Sequence, residues 1–350
     1  MGSASGVGRR LSAAAIAGWT ALAMLLGGAM LAALGGLNQS LYGPAAFVER
    51  YLDAIARDDI LSALATPGVR LDPADLAGAG LPEDTSTAML RSGVLRSGPE
   101  DVRVLDDRPT GDRGAHSVTV SYRLESSIVE TTFEVEPIEP LYGVLNRWEF
   151  ASSPLAVVQV TAAHNPLFTV GSLTLDTRAN TTGDELLAFT HQAPYLAIAP
   201  GVYEVGYEST LLEAVPTTLV TTPGAPAEAT VEALPTEEFV ERVQAKVDEY
   251  LNDQCATQPV LKPAGCPFGV DVDDRVVSEP VWTIVESPAV TLVPGETAFE
   301  MPPTPGVARV TFEAQSLFDG SLYTFEQDEG FMLALDARVR PDGSIAIQLK

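Results

Sequence analysis

The chain predicts an α+β protein: a single N-terminal transmembrane helix, then two units in which a helix lies against an antiparallel sheet, flanking a small all-β module. Three observations carry that prediction. An apolar run from Leu11 to Leu37 contains no charge. An amphipathic helical stretch opens near Pro44 and another opens after Thr236, each followed by strand-like alternation. Between them, residues 151–232 offer short strand patterns and turns without helical periodicity. The divisions implied are a cytoplasmic tail (1–10), a transmembrane helix (11–37), a first helix-and-sheet unit (44–150), the β module (151–232) and a second helix-and-sheet unit (235–350).

The first element is set by length and charge. A bilayer needs about 20 predominantly apolar helical residues, and the run from Leu11 to Leu37 exceeds that. Arg9 and Arg10 precede it, so the positive-inside rule keeps the tail in the cytoplasm and sends residues 41–350 outside, at the cell membrane. A cleaved signal peptide is the rival reading, with small residues at Ala32, Ala33 and Gly35. Its apolar core is ordinarily only about 7–15 residues long. No cysteine follows the run to carry a lipoprotein anchor.

The first unit starts with a helix. Pro44 suits a first turn, and Phe47, Val48, Tyr51, Leu52 and Ile55 fall on one side at spacings of three and four. Asp58-Asp59 interrupts the helix, Ile60, Leu61 and Leu64 restart it, and Thr66-Pro67-Gly68 ends it. Residues 68–99 read as turn-rich, with one more helix near Thr85 to Arg91. A hairpin follows: Val118, Val120, Tyr122 and Leu124, then Val129, Thr131, Phe133 and Val135, alternate with polar residues across a turn at Ser126-Ser127. A further strand runs near Val144 to Phe150.

The module between the units reads as strands around PLAVVQV, LFTVGSLTL, YLAIA, GVYEVGY and TTLVTT, with a Pro200-Gly201 turn. The stretch PTTLVTTPGAPAEATVEALPT reads as an extended exit. In the last unit Thr236 is a candidate N-cap with Glu237 and Glu238 in the first turn. Phe239, Val243, Val247, Tyr250 and Leu251 form its apolar stripe. Strands are expected near Val276 to Val285, Ala308 to Ala314, Leu322 to Phe325, Phe331 to Val339 and Ile345 to Leu349, the last two joined at Asp342-Gly343. Phe47-Val48-Glu49-Arg50 recurs as Phe239-Val240-Glu241-Arg242, which suggests tandem units of one fold.

Cys255 and Cys266 are the two cysteines of the chain, separated by a turn-rich segment. Outside the cytoplasm such a pair reads as a disulfide. The spacing suits neither a redox C-x-x-C motif nor a zinc site.

Charge limits function. Arg9 and Arg10 are two of the 21 basic residues, so 19 remain against 47 acidic residues downstream. Such a surface repels nucleic acid, and no nucleic-acid partner is expected. The acids are spread along the chain as a solubilising surface. His116, His164 and His191 are scattered near turns or strand ends, without H-E-x-x-H spacing. No G-x-S-x-G, S-x-x-K, G-x-x-x-x-G-K or G-x-G-x-x-G motif is present. No catalytic residue, metal ligand or cofactor is therefore assigned. Asp271, Asp273 and Asp274 cluster, but without the glycine and distal glutamate of a calcium loop.

The segment FVERYLDAIARDDILSALAT, a tyrosine-leucine helix before a short second helix and a curved sheet, resembles the opening of bacterial extracytoplasmic members of the NTF2-like or cystatin-like superfamily. The stretch from EEFVERVQAKVDEYL through CATQPVLKPAGCPFG is similar to uncharacterised membrane-anchored proteins of actinobacteria. YLAIAPGVYEVGY resembles small β modules with a Pro-Gly turn before their last strands. The resemblance implies helices packed on a bent sheet, often around a conical cavity. Some NTF2-like proteins are enzymes, such as ketosteroid isomerase, whose catalytic aspartate and tyrosines find no counterparts here. Fold therefore carries no activity with it.

Aromatic residues on the expected strands are the candidates for a cavity or interface: Trp148, Phe150, Trp282, Phe312, Tyr323 and Phe325, with Phe318 beside them. Each reads first as core. The leading functional expectation is a non-enzymatic envelope protein that binds or scaffolds an envelope protein partner. A carrier of a small apolar ligand comes second, and an isomerase-like or hydrolase-like enzyme third.

Overall fold

The computed structural model describes residues 13–71, 75–76, 85–111, 114–180 and 189–350. The tail with Arg9 and Arg10 lies outside the described residues. Helix α1 (Ala13–Ser40) covers the apolar run from Ala13 to Leu37 and continues three residues past it. From Ala17 to Ser40 it is long and apolar enough to cross a membrane, and none of that window is buried by the rest of the chain. Trp19, Met24, Leu25, Met30 and Leu31 are exposed on it.

The first unit is a helix pair on a four-stranded meander. Helices α2 (Pro44–Ala56) and α3 (Ile60–Ala65) fall where the spacing places them. The expected face of α2 is buried, including Phe47, Val48, Tyr51, Leu52 and Ile55. Asp59 restarts the chain as the N-cap of α3, accepting from Ser62 N at 3.1 Å. Leu61, expected among the apolar residues of α3, is exposed. Strand β1 (Leu95–Ser97) precedes the sheet, which runs in order through β2 (Glu100–Thr110), β3 (Ala115–Leu124), β4 (Ser127–Leu141) and β5 (Leu145–Phe150). The β3–β4 turn is Glu125-Ser126, one residue before the expected position, because Leu124 pairs with Ser127. Four rings pack the space between α2 and the sheet. Phe150 lies 4.9 Å from Phe47, 5.1 Å from Tyr51 and 5.6 Å from Phe133. Gly68 has φ +80, and a Cβ there would lie 2.4 Å from the Phe150 carbonyl oxygen, so no other residue fits.

The β module has two sheets around one core. One contains β7 (Leu167–Val170), β8 (Leu173–Asp176), β10 (Gly201–Glu208), β11 (Leu212–Thr221) and β13 (Leu234–Pro235), with β1 added at the edge of β10. The other is β12 (Pro226–Glu232), β6 (Ala156–Ala163) and β9 (Thr190–Ala197). Two expectations are corrected. Residues 226–232 do not form an exit: they return as β12, parallel to β6, and bury Val231. Residues 85–91 form no helix. The Ser86 backbone bridges Tyr195, donating to Pro194 O and accepting from Leu196 N, while Met89 enters the module's core. Backbone pairing with a strand overrides weak helical propensity there.

The module also completes the first unit. Leu196, Ile198 and Val202 belong to the same packed core as α2 and β3–β5. Tyr51 is fully buried and its hydroxyl donates to Ala199 O at 2.6 Å. Burial, then the neighbouring Tyr203 and Tyr122, hold the Tyr51 hydroxyl protonated well above the usual phenol range.

The last unit begins with α4 (Glu237–Glu249), capped by Thr236 through its side chain. A π-helical turn (Tyr250–Cys255) extends it. Cys255 and Cys266 are joined by a disulfide, as expected, with Cα atoms 5.7 Å apart. The sheet is built on a long hairpin of β17 (Phe299–Gln315) and β18 (Leu322–Val339). The short strands β14 (Arg275–Val276), β15 (Val281–Glu286) and β16 (Val293–Pro294) pair along β17, and β19 (Ile345–Leu349) pairs with β18. Both hairpin strands are longer than expected. Pro302 and Pro303 fall in a register shift between Met301 and Thr304, and Pro305 follows, in the gap between the β16 and β15 partners of β17. Proline is tolerated there because no ladder hydrogen bond is required of it. The acidic run Glu326 to Glu329 continues β18 instead of breaking it, with Arg309 paired to Asp328 at 2.5 Å and Glu326 at 3.4 Å. Asp342-Gly343 sits in a longer loop, closed by Arg340 N to Ser344 O at 2.8 Å.

Candidate functional site

The sequence-marked aromatics are distributed among different cores. Trp148 and Phe150 belong to the first unit, and the indole of Trp148 donates to Tyr42 O at 2.8 Å. Trp282, Phe312 and Phe325 belong to the last unit. Trp282 packs on Phe268 and donates to Val260 O, while Phe312 stacks on Phe325 at 4.8 Å. Tyr323 is partly exposed and donates to Asp274 Oδ2 at 2.7 Å. Phe318 is almost fully exposed at the β17–β18 tip. These residues do not share one cavity.

The histidines are also apart. His116 lies 2.6 Å from Asp107 and edge-on to Trp148. His164 sits among Phe189 and Phe299, where the β module meets the last unit. His191 is buried in β9. Among the described residues, no group of three or more His, Cys, Asp or Glu side chains is placed to hold a metal ion. Asp271 is paired with Lys262 at 2.7 Å, and Asp274 accepts from Leu317 N and Tyr323.

A cleft of about 500 Å³ opens where the β module meets the last unit. Its lining includes Arg178, Arg242 and Arg340, each from a different element, with Asp176 as the one acidic lining residue among the described residues. Arg178 follows β8 and is held in a fork: its Nε and Nη2 donate to the two Asp176 oxygens at 3.0 and 2.8 Å. That hydrogen bond raises the Arg178 guanidinium further above its ordinary range. Burial works to raise the Asp176 carboxyl, but the hydrogen bonds and charge of Arg178 outweigh it and hold the carboxyl below its usual value. Arg242 stands on α4, steadied by Glu238 one turn earlier at 2.6 Å. Arg340 stands in the β18–β19 loop, and makes no ion pair among the described residues.

The floor is fixed. Leu211 and Leu212 are buried in the core of the last unit. Thr236 donates from its backbone to Leu211 O and from its side chain to Thr210 O. The cap of α4 thus also fastens the loop between β10 and β11. A second groove, of about 410 Å³, lies on the other side of Tyr207 and is lined by Glu204, Glu208 and Glu213. The two grooves therefore have opposite charge.

The arginine cleft was missed by reading along the chain, although Arg242 closes the repeated Phe-Val-Glu-Arg motif. Residues 178, 242 and 340 meet only through the docking of two units. The site gathers three guanidiniums, those of Arg178 and Arg242 held by Asp176 and Glu238, beside an apolar side formed by Leu167, Tyr207 and Val339, a chemistry suited to an anion. The chain matches no protein-family model, no curated protein and no solved structure.

Proposed function

We propose that this is a membrane-anchored binding protein of the cell envelope, with its folded region on the outer face and an anionic group as the ligand of the arginine cleft. The observation that carries the reading is the convergence of three arginines on one cleft in a chain of net charge −26. An acidic protein repels anions at long range. Three cations gathered at one junction make a local exception with a recognisable chemistry, that of carboxylate or phosphate recognition. The apolar α1 supports anchoring, and Arg9 and Arg10 support an outward orientation. A helix laid on an antiparallel meander supports the NTF2-like reading of the two outer units, used here for binding.

The test is titration calorimetry on the full chain in lipid nanodiscs, with pyrophosphate and with tricarballylate as probes. At least one binds, with affinity falling as salt rises. Removing one charge-assisted contact, by Arg340→Ala, costs roughly 1.5–3 kcal/mol, about ten- to a hundredfold. Absence of binding by both probes, or unchanged affinity in the variant, contradicts the reading.

The apolar-ligand alternative draws on a different groove of about 380 Å³ beside α3, where Leu64, Leu71, Leu90, Leu155 and Leu196 share the lining with Arg70, Thr87 and Arg91. Saturable uptake of a fluorescent fatty acid, abolished by Leu90→Arg, would favour it; no uptake removes it.

A further inference from the structure

The tip of the β4–β5 hairpin has three properties that its own fold leaves unexplained. The first is chemical. From Pro140 to Asn146 the chain carries no charge, in a protein with 47 acidic residues. Leu141 and Val144 are exposed there, and Tyr142 is 87% exposed. The second is conformational. Tyr142 has φ +54, in the left-handed region, and Gly143 follows at φ +72. A left-handed conformation costs a residue with a Cβ roughly 1–2 kcal/mol, and asparagine or glycine would serve a plain turn better. A tyrosine kept at that cost, without burial, points to a use outside the fold.

The third property is position. Asn38 follows the last apolar residue of the α1 run. Its side chain donates to Val144 O at 2.8 Å and accepts from Asn146 N at 3.0 Å. Two further bonds fix the exit of the helix to the same unit: Arg50 donates to Leu41 O at 2.6 Å, and Trp148 to Tyr42 O at 2.8 Å. Helix α1 has 28 residues. At the helical rise it is about 42 Å long, against about 30 Å for the hydrocarbon core. Asn38, Gln39 and Ser40 therefore reach the interfacial layer, and the hairpin tip is level with them.

We propose that Leu141, Tyr142 and Val144 seat in the interfacial layer of the same bilayer that α1 crosses. The folded region then stands on the membrane at two adjoining points, the helix exit and the hairpin tip. Tyrosine favours that layer, with its ring toward the acyl chains and its hydroxyl among the headgroups. The lack of charge at the tip fits it as well, since the acidic body is repelled by anionic headgroups. The β17–β18 tip is a poorer match despite exposed Leu317 and Phe318, because Asp319 and Asp274 sit beside them. The proposal rests on α1 as a membrane span.

Both native cysteines are in the disulfide, so a single introduced thiol can be labelled. Three variants of the full chain, Tyr142→Cys, Phe318→Cys and Leu26→Cys, each carry an environment-sensitive fluorophore in phosphatidylcholine nanodiscs. Iodide reports water access, and nitroxide lipids report contact with the bilayer. The label at Tyr142→Cys is expected to be quenched several-fold more by nitroxide lipid, and several-fold less by iodide, than the label at Phe318→Cys. The label at Leu26→Cys reads as fully lipid-embedded. If the Tyr142→Cys label is as open to iodide as the Phe318→Cys label while Leu26→Cys remains embedded, the tip proposal is overturned and the span stands. An iodide-accessible label at Leu26→Cys overturns the span, and the tip proposal with it.

Discussion

The first and last units open on the same four residues and use them differently. Phe47 and Phe239 are both buried, and each meets a phenylalanine at a strand end: Phe150, the last residue of β5, and Phe299, the first of β17. The arginines then diverge. Arg50 donates to Leu41 O and fastens the unit to the end of α1, whereas Arg242 lines the cleft. The settings diverge too. The first unit borrows Leu196, Ile198 and Val202 from the β module to finish its core. The last unit takes Leu211 and Leu212, at the other end of the module, into its core, carries a disulfide, and meets the module along an aromatic contact of His164, Phe189 and Phe299. A repeated helix opening therefore sets local packing, and its context decides whether the motif's arginine faces the end of α1 or the arginine cleft.

That contrast can be broken at its strongest point by Phe150→Ala. Truncating a buried aromatic costs about 3–5 kcal/mol. Because the core is shared, hydrogen exchange resolved by segment should rise in α2, β2 to β5 and residues 196–202 together, while α4, β17 and β18 keep their protection. Exchange confined to β5 would show that the first unit and the module are independent.

A smaller and opposite effect is expected from Cys255→Ser with Cys266→Ser. Opening a loop of sequence separation 11 should cost about 2–3 kcal/mol in the chain-entropy view. Protection should fall in α4, the π-helical turn and β15, with the first unit unchanged. Loss spread over all three cores would mean the last unit is not a separate body energetically.

Smaller again is Tyr51→Phe. The Ala199 carbonyl would be left buried without its donor, a cost of about 1–3 kcal/mol. The ring and its contacts with Phe133 and Phe150 remain, so urea melts should show a lower midpoint with an unchanged slope. An unaltered midpoint would show that the bond contributes nothing to the joint.

Much of this architecture was legible because it follows from local periodicity. The buried face of α2, the alternation of β3 and β4, the Thr236 cap and the cysteine pair are all decided within a few residues of sequence. The misread parts depend on partners far away in the chain. Residues 226–232 become a strand because β6 offers them an edge. Pro302, Pro303 and Pro305 stay in β17 because its neighbours leave a gap beside them. The acidic run 326–329 stays extended opposite Arg309. The site was hidden for the same reason. Arg178 and Arg340 carry no local signal, and the repeated motif marked Arg242 as a helix residue without indicating what lies above it.

The repeat also supplies the most direct test of the central claim, that the junction of the module and the last unit is a built anion site. Pyrophosphate or tricarballylate affinity is measured for Arg242→Gln and for Arg50→Gln in nanodisc-held full chain. Arg242→Gln should weaken binding about tenfold or more, since it removes a charge-assisted donor and leaves Glu238 unpaired. Arg50→Gln should leave the affinity at the wild-type value. Equal effects of the two substitutions, or none from either, would contradict the account.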